Sequence, residues 1–192
     1  MQIARKLRTQ SITAYIIYMY QVEDVIRAYG LDIERIEEEY MPRFDLGESQ
    51  RKEEREWYES LIRMMKEEGK TQCGHVQVVR NTIQLLSERH QELLSDPKQP
   101  YYSAAYYKAL PYIVELRAKS HAMDKGEIEN CLDAVYGATL IGMQGRELSE
   151  ETRLALQPIT HLLEMLSDLW SEKLDTWHWR RSGCLPAGQV VG

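Results

Sequence analysis

Between Val76 and Leu93 the apolar residues Val76, Val79, Ile83, Leu86 and Leu93, with His90 among them, recur at alternating three- and four-residue steps. That period marks one face of an α-helix, and no convincing strand-like alternation competes with it elsewhere in the chain. At 1.5 Å per residue, a helix from about His75 to Leu94 is roughly 28 Å long, enough to cross a small domain. The chain has 192 residues, 43% apolar and 28% charged. At this length about 70% of the unfolded surface is buried on folding, so one compact domain needs no disulfide or metal. Collagen-like, low-complexity and wholly disordered readings are excluded by the same composition.

The same period recurs along most of the sequence. A first helix is predicted from about Ser11 to Tyr29, with Ile12, Tyr15, Ile16, Met19, Val22 and Ile26 on one face and Gly30 ending it. Asp32 caps a short second helix, Ile33 to Tyr40, limited by Pro42. A charged third helix runs from about Glu48 to Glu68 and turns Trp57, Tyr58, Leu61, Ile62, Met64 and Met65 inward. After the fourth helix, the prolines of Ser95–Pro100 make a loop. The fifth helix, Tyr101 to Ser120, carries Tyr102, Tyr106, Ala109, Ile113 and Leu116 on one face, with a kink or break expected before Pro111. Asp124 and Glu127 form a capping box for a sixth helix reaching about Gln144, with an apolar face through Ile128, Cys131, Leu132, Val135, Thr139 and Ile141. Its small residues Ala134, Gly137, Ala138 and Gly142 would let another helix approach closely. Ser149 caps the last helix, whose apolar side runs from Leu156 to Trp170. Short connections make neighbours antiparallel. The expected fold is therefore an all-α, up-and-down bundle of six to seven helices over residues 1–175, followed by a loosely ordered tail, 176–192.

The net charge is −6, which argues against broad capture of nucleic acid or anionic membrane. All of that surplus lies between Asp32 and Glu68, where 13 acidic residues face 7 basic ones; the remainder balances at 17 against 17. A solvated face laced with i,i+4 pairs accounts for it. Arg5, Lys6 and Arg8 before the apolar stretch Ile12–Tyr20 imitate a secretory signal, but three tyrosines interrupt the stretch and Glu23 and Asp24 follow at once. It is also too short to cross a bilayer of roughly 30 Å, so it reads as a buried helix. Cys73, Cys131 and Cys184 are odd in number and widely spaced, which favours packing thiols in a reducing cytoplasm over disulfides or zinc.

Three blocks carry a resemblance: YIIYMYQVEDVIRAYGLDIERI (Tyr15 to Ile36), EWYESLIRMMKEEGKTQCGH (Glu56 to His75) and YYSAAYYKALPYIVELRAK (Tyr101 to Lys119). Together they resemble a bacterial family of uncharacterised helical proteins, a domain of unknown function of about this length, over residues 1 to about 173. The resemblance implies an all-helical fold and a cytoplasmic bacterial protein, and it implies no activity.

Chemistry has few footholds. Twelve tyrosines stand against one phenylalanine. A buried phenol needs a hydrogen-bond partner that phenylalanine does not, so several tyrosines belong at the core's edge or around a polar pocket. Glu23, Asp24 and Arg27 share one turn of the first helix, each carboxylate within helical reach of Arg27. With Tyr20, and with Tyr102, Tyr106, Glu115 and Arg117 of the fifth helix, they make a candidate pocket for a small polar ligand if the two helices adjoin. His90 reads as a hydrogen-bonded core histidine, while His75 and His121 merely lie near helix ends. His161 and Glu164 form an HxxE with no second copy, so no di-iron or catalytic zinc pattern exists and no cofactor is expected. No nucleophile elbow, dinucleotide motif or Walker loop occurs. Trp177, His178, Trp179, Arg180 and Arg181 interleave aromatic and basic groups, too short a run to imply nucleic acid or membrane binding. Two functions stay open: a non-enzymatic protein acting through a protein partner or homo-oligomer, and a ligand-binding protein or enzyme using the Tyr/Glu/Arg pocket.

Overall fold

The computed structural model describes residues 2–120 and 125–182, the side chains of 120 and 171–182 excepted. It is all-helical, with eight α-helices and no strand among the described residues: α1 (Gln2–Gln10), α2 (Ile12–Ala28), α3 (Ile33–Arg35), α4 (Glu48–Glu67), α5 (Gln77–Ser95), α6 (Pro100–Ser120), α7 (Glu127–Met143) and α8 (Glu150–Ser182). The helices share one core. α2 lies against α1, α4, α5, α7 and α8, and α6 and α8 form the longest helix–helix contact.

The periodicity located the core well. Every member of the α5 stripe (Val76, Val79, Ile83, Leu86, His90 and Leu93) is buried, as are Ile12, Tyr15, Ile16, Met19, Val22 and Ile26 of α2. Ser11 caps α2 by accepting the Ala14 N–H at 3.3 Å, and Ser149 likewise caps α8 through Thr152 at 3.1 Å. Gly30 ends α2 at φ +70°, and Leu31 follows it into the left-handed region at φ +59°.

Five local features differ from expectation. α1 is additional: Arg5, Lys6 and Arg8 hide the weak apolar pair Ala4 and Leu7, which nonetheless packs on the core. The second helix is only three residues of α-helix, continued by a π-helical turn, Ile36–Tyr40, and a 3₁₀ turn, Met41–Arg43. Ile36 and Met41 are both fully buried five residues apart, a spacing that a π turn puts on one side and an α-helix does not. α6 passes through Pro111 unbroken, with that residue on its exposed side, where water can take up the freed carbonyl. α7 starts at Glu127 with Gly126 as its N-cap; Asp124 lies outside the described residues. α8 continues to Ser182, so the Trp177–Arg181 run lies on its last turns with side chains outside the description; 183–192 also lie outside the described residues.

The acidic region is only partly a solvated face. Arg55 of α4 reaches Glu37 at 2.5 Å and Glu34 at 3.3 Å as well as its i,i+4 partner Glu59, tying α3 and the π turn to α4. No helix among the described residues is long and apolar enough to cross a membrane.

Candidate functional site

Glu23 is the least expected residue of α2: a carboxylate with no exposed surface, on the face that otherwise packs isoleucine and methionine. An isolated charge there would be expensive, so its partners define what the position does. One oxygen accepts the backbone N–H of Val76 at 2.8 Å, and the other accepts His75 Nδ1–H at 2.5 Å. Val76 is the N-cap of α5, so a carboxylate from α2 caps α5 from across the core, where the helix dipole favours negative charge. The His75 ring stacks on Tyr20, centroids 3.7 Å apart and planes within 12°, and Tyr136 of α7 packs edge-on against Tyr20 at 5.5 Å. With Nδ1 fixed by a carboxylate and one ring face covered, His75 keeps Nε2 for the solvent side, where the residue is 18% exposed. In such a pair the carboxylate sets the tautomer and orients the ring, so Nε2 is the ring atom left to hydrogen-bond a bound group.

Asp24 and Arg27 complete the cluster. Arg27 Nη1 donates to Asp24 Oδ1 at 2.8 Å, and the Tyr136 hydroxyl donates to Asp24 Oδ2 at 2.7 Å. Burial, reinforced by Asp24, pushes the Tyr136 phenol above its ordinary range. Arg27 Nη2 also donates to the carbonyls of Lys70, at 3.2 Å, and Gly74, holding both ends of the segment between α4 and α5. Gly74 stands at φ +77° in that segment, and Cys73 is exposed there rather than packed.

His75 lines a cleft of about 490 Å³ formed by this segment, the first turns of α5 and the start of α7. Lys70, Arg80, Gln84, Ser87, Lys125 and Glu129 are among its other walls. Lys125 is shared by Asp133 at 2.6 Å and Glu129 at 3.8 Å, whereas Lys70 and Arg80 have no ion pair among the described residues. Beneath the cleft, the Tyr20 hydroxyl is buried with no hydrogen-bond partner, in the field of Asp133 and Glu129. Burial first, then those carboxylates, drives its phenol far above the ordinary range, so it remains a donor.

Tyr102 and Tyr106 belong to a second cluster. Tyr102 and His90 are fully enclosed, with Tyr102 Oη 2.6 Å from His90 Nδ1. Tyr106 donates to Glu127 at 3.3 Å, and Glu127 stands 3.9 Å from His90 Nε2, which has no hydrogen-bond partner. Burial holds His90 down at about 4 and pushes the neighbouring Cys131 thiol up to about 12, so neither is charged near neutrality. His90 is thus the core histidine its stripe suggested, and Cys131 is a packing thiol.

The pocket expected between the predicted first and fifth helices is therefore divided. α7 stands between the two sets: Glu129, Asp133 and Tyr136 attend the α2 group, while Glu127 and Cys131 attend Tyr102 and Tyr106. Glu115 pairs instead with Lys119 at 2.6 Å on the surface, and Arg117 donates to the Lys125 carbonyl at 3.4 Å. Within α2, Glu23 turns away from Arg27, leaving the guanidinium to Asp24. Tyr20, Glu23, Asp24 and Arg27 do converge, but with His75 and Tyr136. A histidine at a helix start and a tyrosine in a small-residue helix carried no signal of that meeting. Among the described residues no group of three or more His, Cys, Asp or Glu could hold a metal ion.

Fold and site together define an all-helical protein in which a buried carboxylate–imidazole pair opens onto a polar cleft. The chain belongs to the family described as a domain of unknown function (DUF4924), which matches residues 1–176. No curated protein and no solved structure matches it.

Proposed function

We propose that this protein binds a small polar ligand in the cleft beside His75. The observation that carries the reading is the Glu23–His75 pair, stacked on Tyr20 and presenting one imidazole edge to a cleft of about 490 Å³. Sites for small molecules commonly fall in this size range and rest on a few oriented polar groups. A thermal-shift panel of polar metabolites tests it on the wild-type chain and on Gln84→Trp, which fills the cleft without touching the pair. At least one compound is expected to raise the wild-type melting temperature by several degrees and to leave Gln84→Trp unmoved. A wild-type protein indifferent to the whole panel defeats the reading.

A second reading, self-association, is favoured by a different surface. A groove of about 1180 Å³ runs between α6, α7 and α8, continued by a neighbouring one of about 530 Å³ that shares Tyr112, Ala138, Leu148 and Leu156 with it. Gly137 lines the second, and a methyl group added there would touch nothing. Beside the groove stand Tyr107, Val114 and Leu154, each at least half exposed. Exposed apolar side chains on the rim of a groove can fill the same groove of a copy related by a two-fold axis, so the occupant proposed is a second copy of the chain. Light scattering on an eluting peak is expected to give a dimer mass for the wild type and a monomer for Leu154→Glu; a monomeric wild type at 100 μM rejects the reading.

A further inference from the structure

Resting on the proposed cleft, we infer that its ligand is an oxyanion, a molecule whose phosphate or carboxylate group sits between Lys70 and Arg80 against the open edge of His75. The argument begins with charge. The chain is acidic overall at −6, yet the cleft gathers Lys70, Arg80 and Lys125 around His75 against the single carboxylate of Glu129. Lys125 is occupied by Asp133 and Glu129. Lys70 and Arg80 have no such partner among the described residues, although carboxylates outnumber cations over the chain. A concave site lined by one sign of charge concentrates the field and draws the opposite charge.

The second strand of the argument is hydrogen bonding. Glu23 is fully enclosed and takes up the Nδ1–H, so Nε2 is the ring atom His75 has left for the cleft, and it donates to an anion when the ring carries both protons. An oxygen-rich ligand completes the hydrogen bonding of that ring edge. Glu129, on the far wall, suits hydroxyl or amine donors on the rest of such a ligand.

Inorganic phosphate and acetate are the probes, titrated at constant ionic strength made up with chloride, with thermal unfolding and the His75 ring resonances as readouts. Phosphate is expected to shift the His75 resonances saturably and to raise the melting temperature, with acetate the weaker of the two if the natural group is a phosphate and the stronger if it is a carboxylate. Lys70→Glu and Arg80→Glu, both outside the hydrogen-bonded pair, are each expected to weaken binding at least ten-fold while the unliganded protein melts as before. Equal binding to the charge-reversed variants overturns the inference. So does a panel in which neutral or cationic compounds bind in a Gln84-dependent way without competition from either anion, a result that leaves the cleft itself standing. If no compound and no anion binds, both the inference and the proposed cleft fall.

Discussion

Glu23→Ala is expected to cost about 3 kcal/mol of stability, because it removes a fully buried carboxylate that accepts two hydrogen bonds and leaves their donors behind. The carboxylate satisfies the Val76 N–H and the His75 Nδ1–H at once, and its loss leaves the N–H of the fully buried Val76 without that acceptor. It also deletes the charge that faces the positive end of α5, and it opens a small void beneath Tyr20. For a chain of this length the melting temperature should fall by roughly 6–12 °C. Glu23→Gln keeps the volume and one acceptor, so it should lose less than half as much. Urea midpoints for both variants measure the effect; an alanine variant within 0.5 kcal/mol of wild type would show that the pair contributes nothing to the fold.

The second large effect concerns acid. His90 titrates at about 4 in the folded protein because burial opposes its charge, against about 6.5 in an unfolded chain. Between those values the unfolded state binds more protons than the folded one, so stability rises with pH across the window and is lost as pH falls from 6.5 towards 4. A displacement of that size corresponds to on the order of 3 kcal/mol, complete only near the lower end. The groups facing the ring do little to offset it: Tyr102 and Cys131 are neutral there, Tyr106 is neutral, and Glu127 stays 3.9 Å from Nε2. Other carboxylates also titrate in this range, which makes the wild type minus His90→Gln difference the quantity to measure. Denaturation midpoints at pH 7 and pH 4.5 should converge for the two proteins in acid. Parallel loss in both would show that His90 does not govern the acid response.

How much of this could be read in advance depended on the distance over which the information is written. Helices are local, and the α5 stripe fixed six core residues correctly because each one votes with its neighbours three and four positions away. The same locality explains the failures at Ile36–Tyr40, where a five-residue step belongs to a conformation rare enough that no pattern anticipates it. α1 was invisible for a different reason: Ile3, Ala4 and Leu7 among three cations make no stripe, and only α2 beside them gives Ala4 and Leu7 something to pack on. For the site, the sequence supplied Tyr20, Glu23, Asp24 and Arg27 as a group but could not say which way each would turn. Glu23 and Arg27 stand at ideal spacing for a pair, yet burial separates them, since the enclosed carboxylate does better with two fixed donors at the entry to α5. His75, 52 residues further along, became important only when α2 and α5 met. The tyrosines were legible as a class and not as individuals, because whether a phenol is enclosed, as in Tyr20 and Tyr102, or open to water, as in Tyr101, is decided by neighbours from other helices.

Arg27 is also a mechanical part. Its guanidinium grips the carbonyls of Lys70 and Gly74 while Glu23, one turn earlier, holds His75 and Val76, so the mouth of the cleft is moored to α2 by two side chains. Where the entrance stands is therefore dictated by charged side chains of a neighbouring rod, with Asp24, which also takes the Tyr136 hydroxyl, keeping the guanidinium in place.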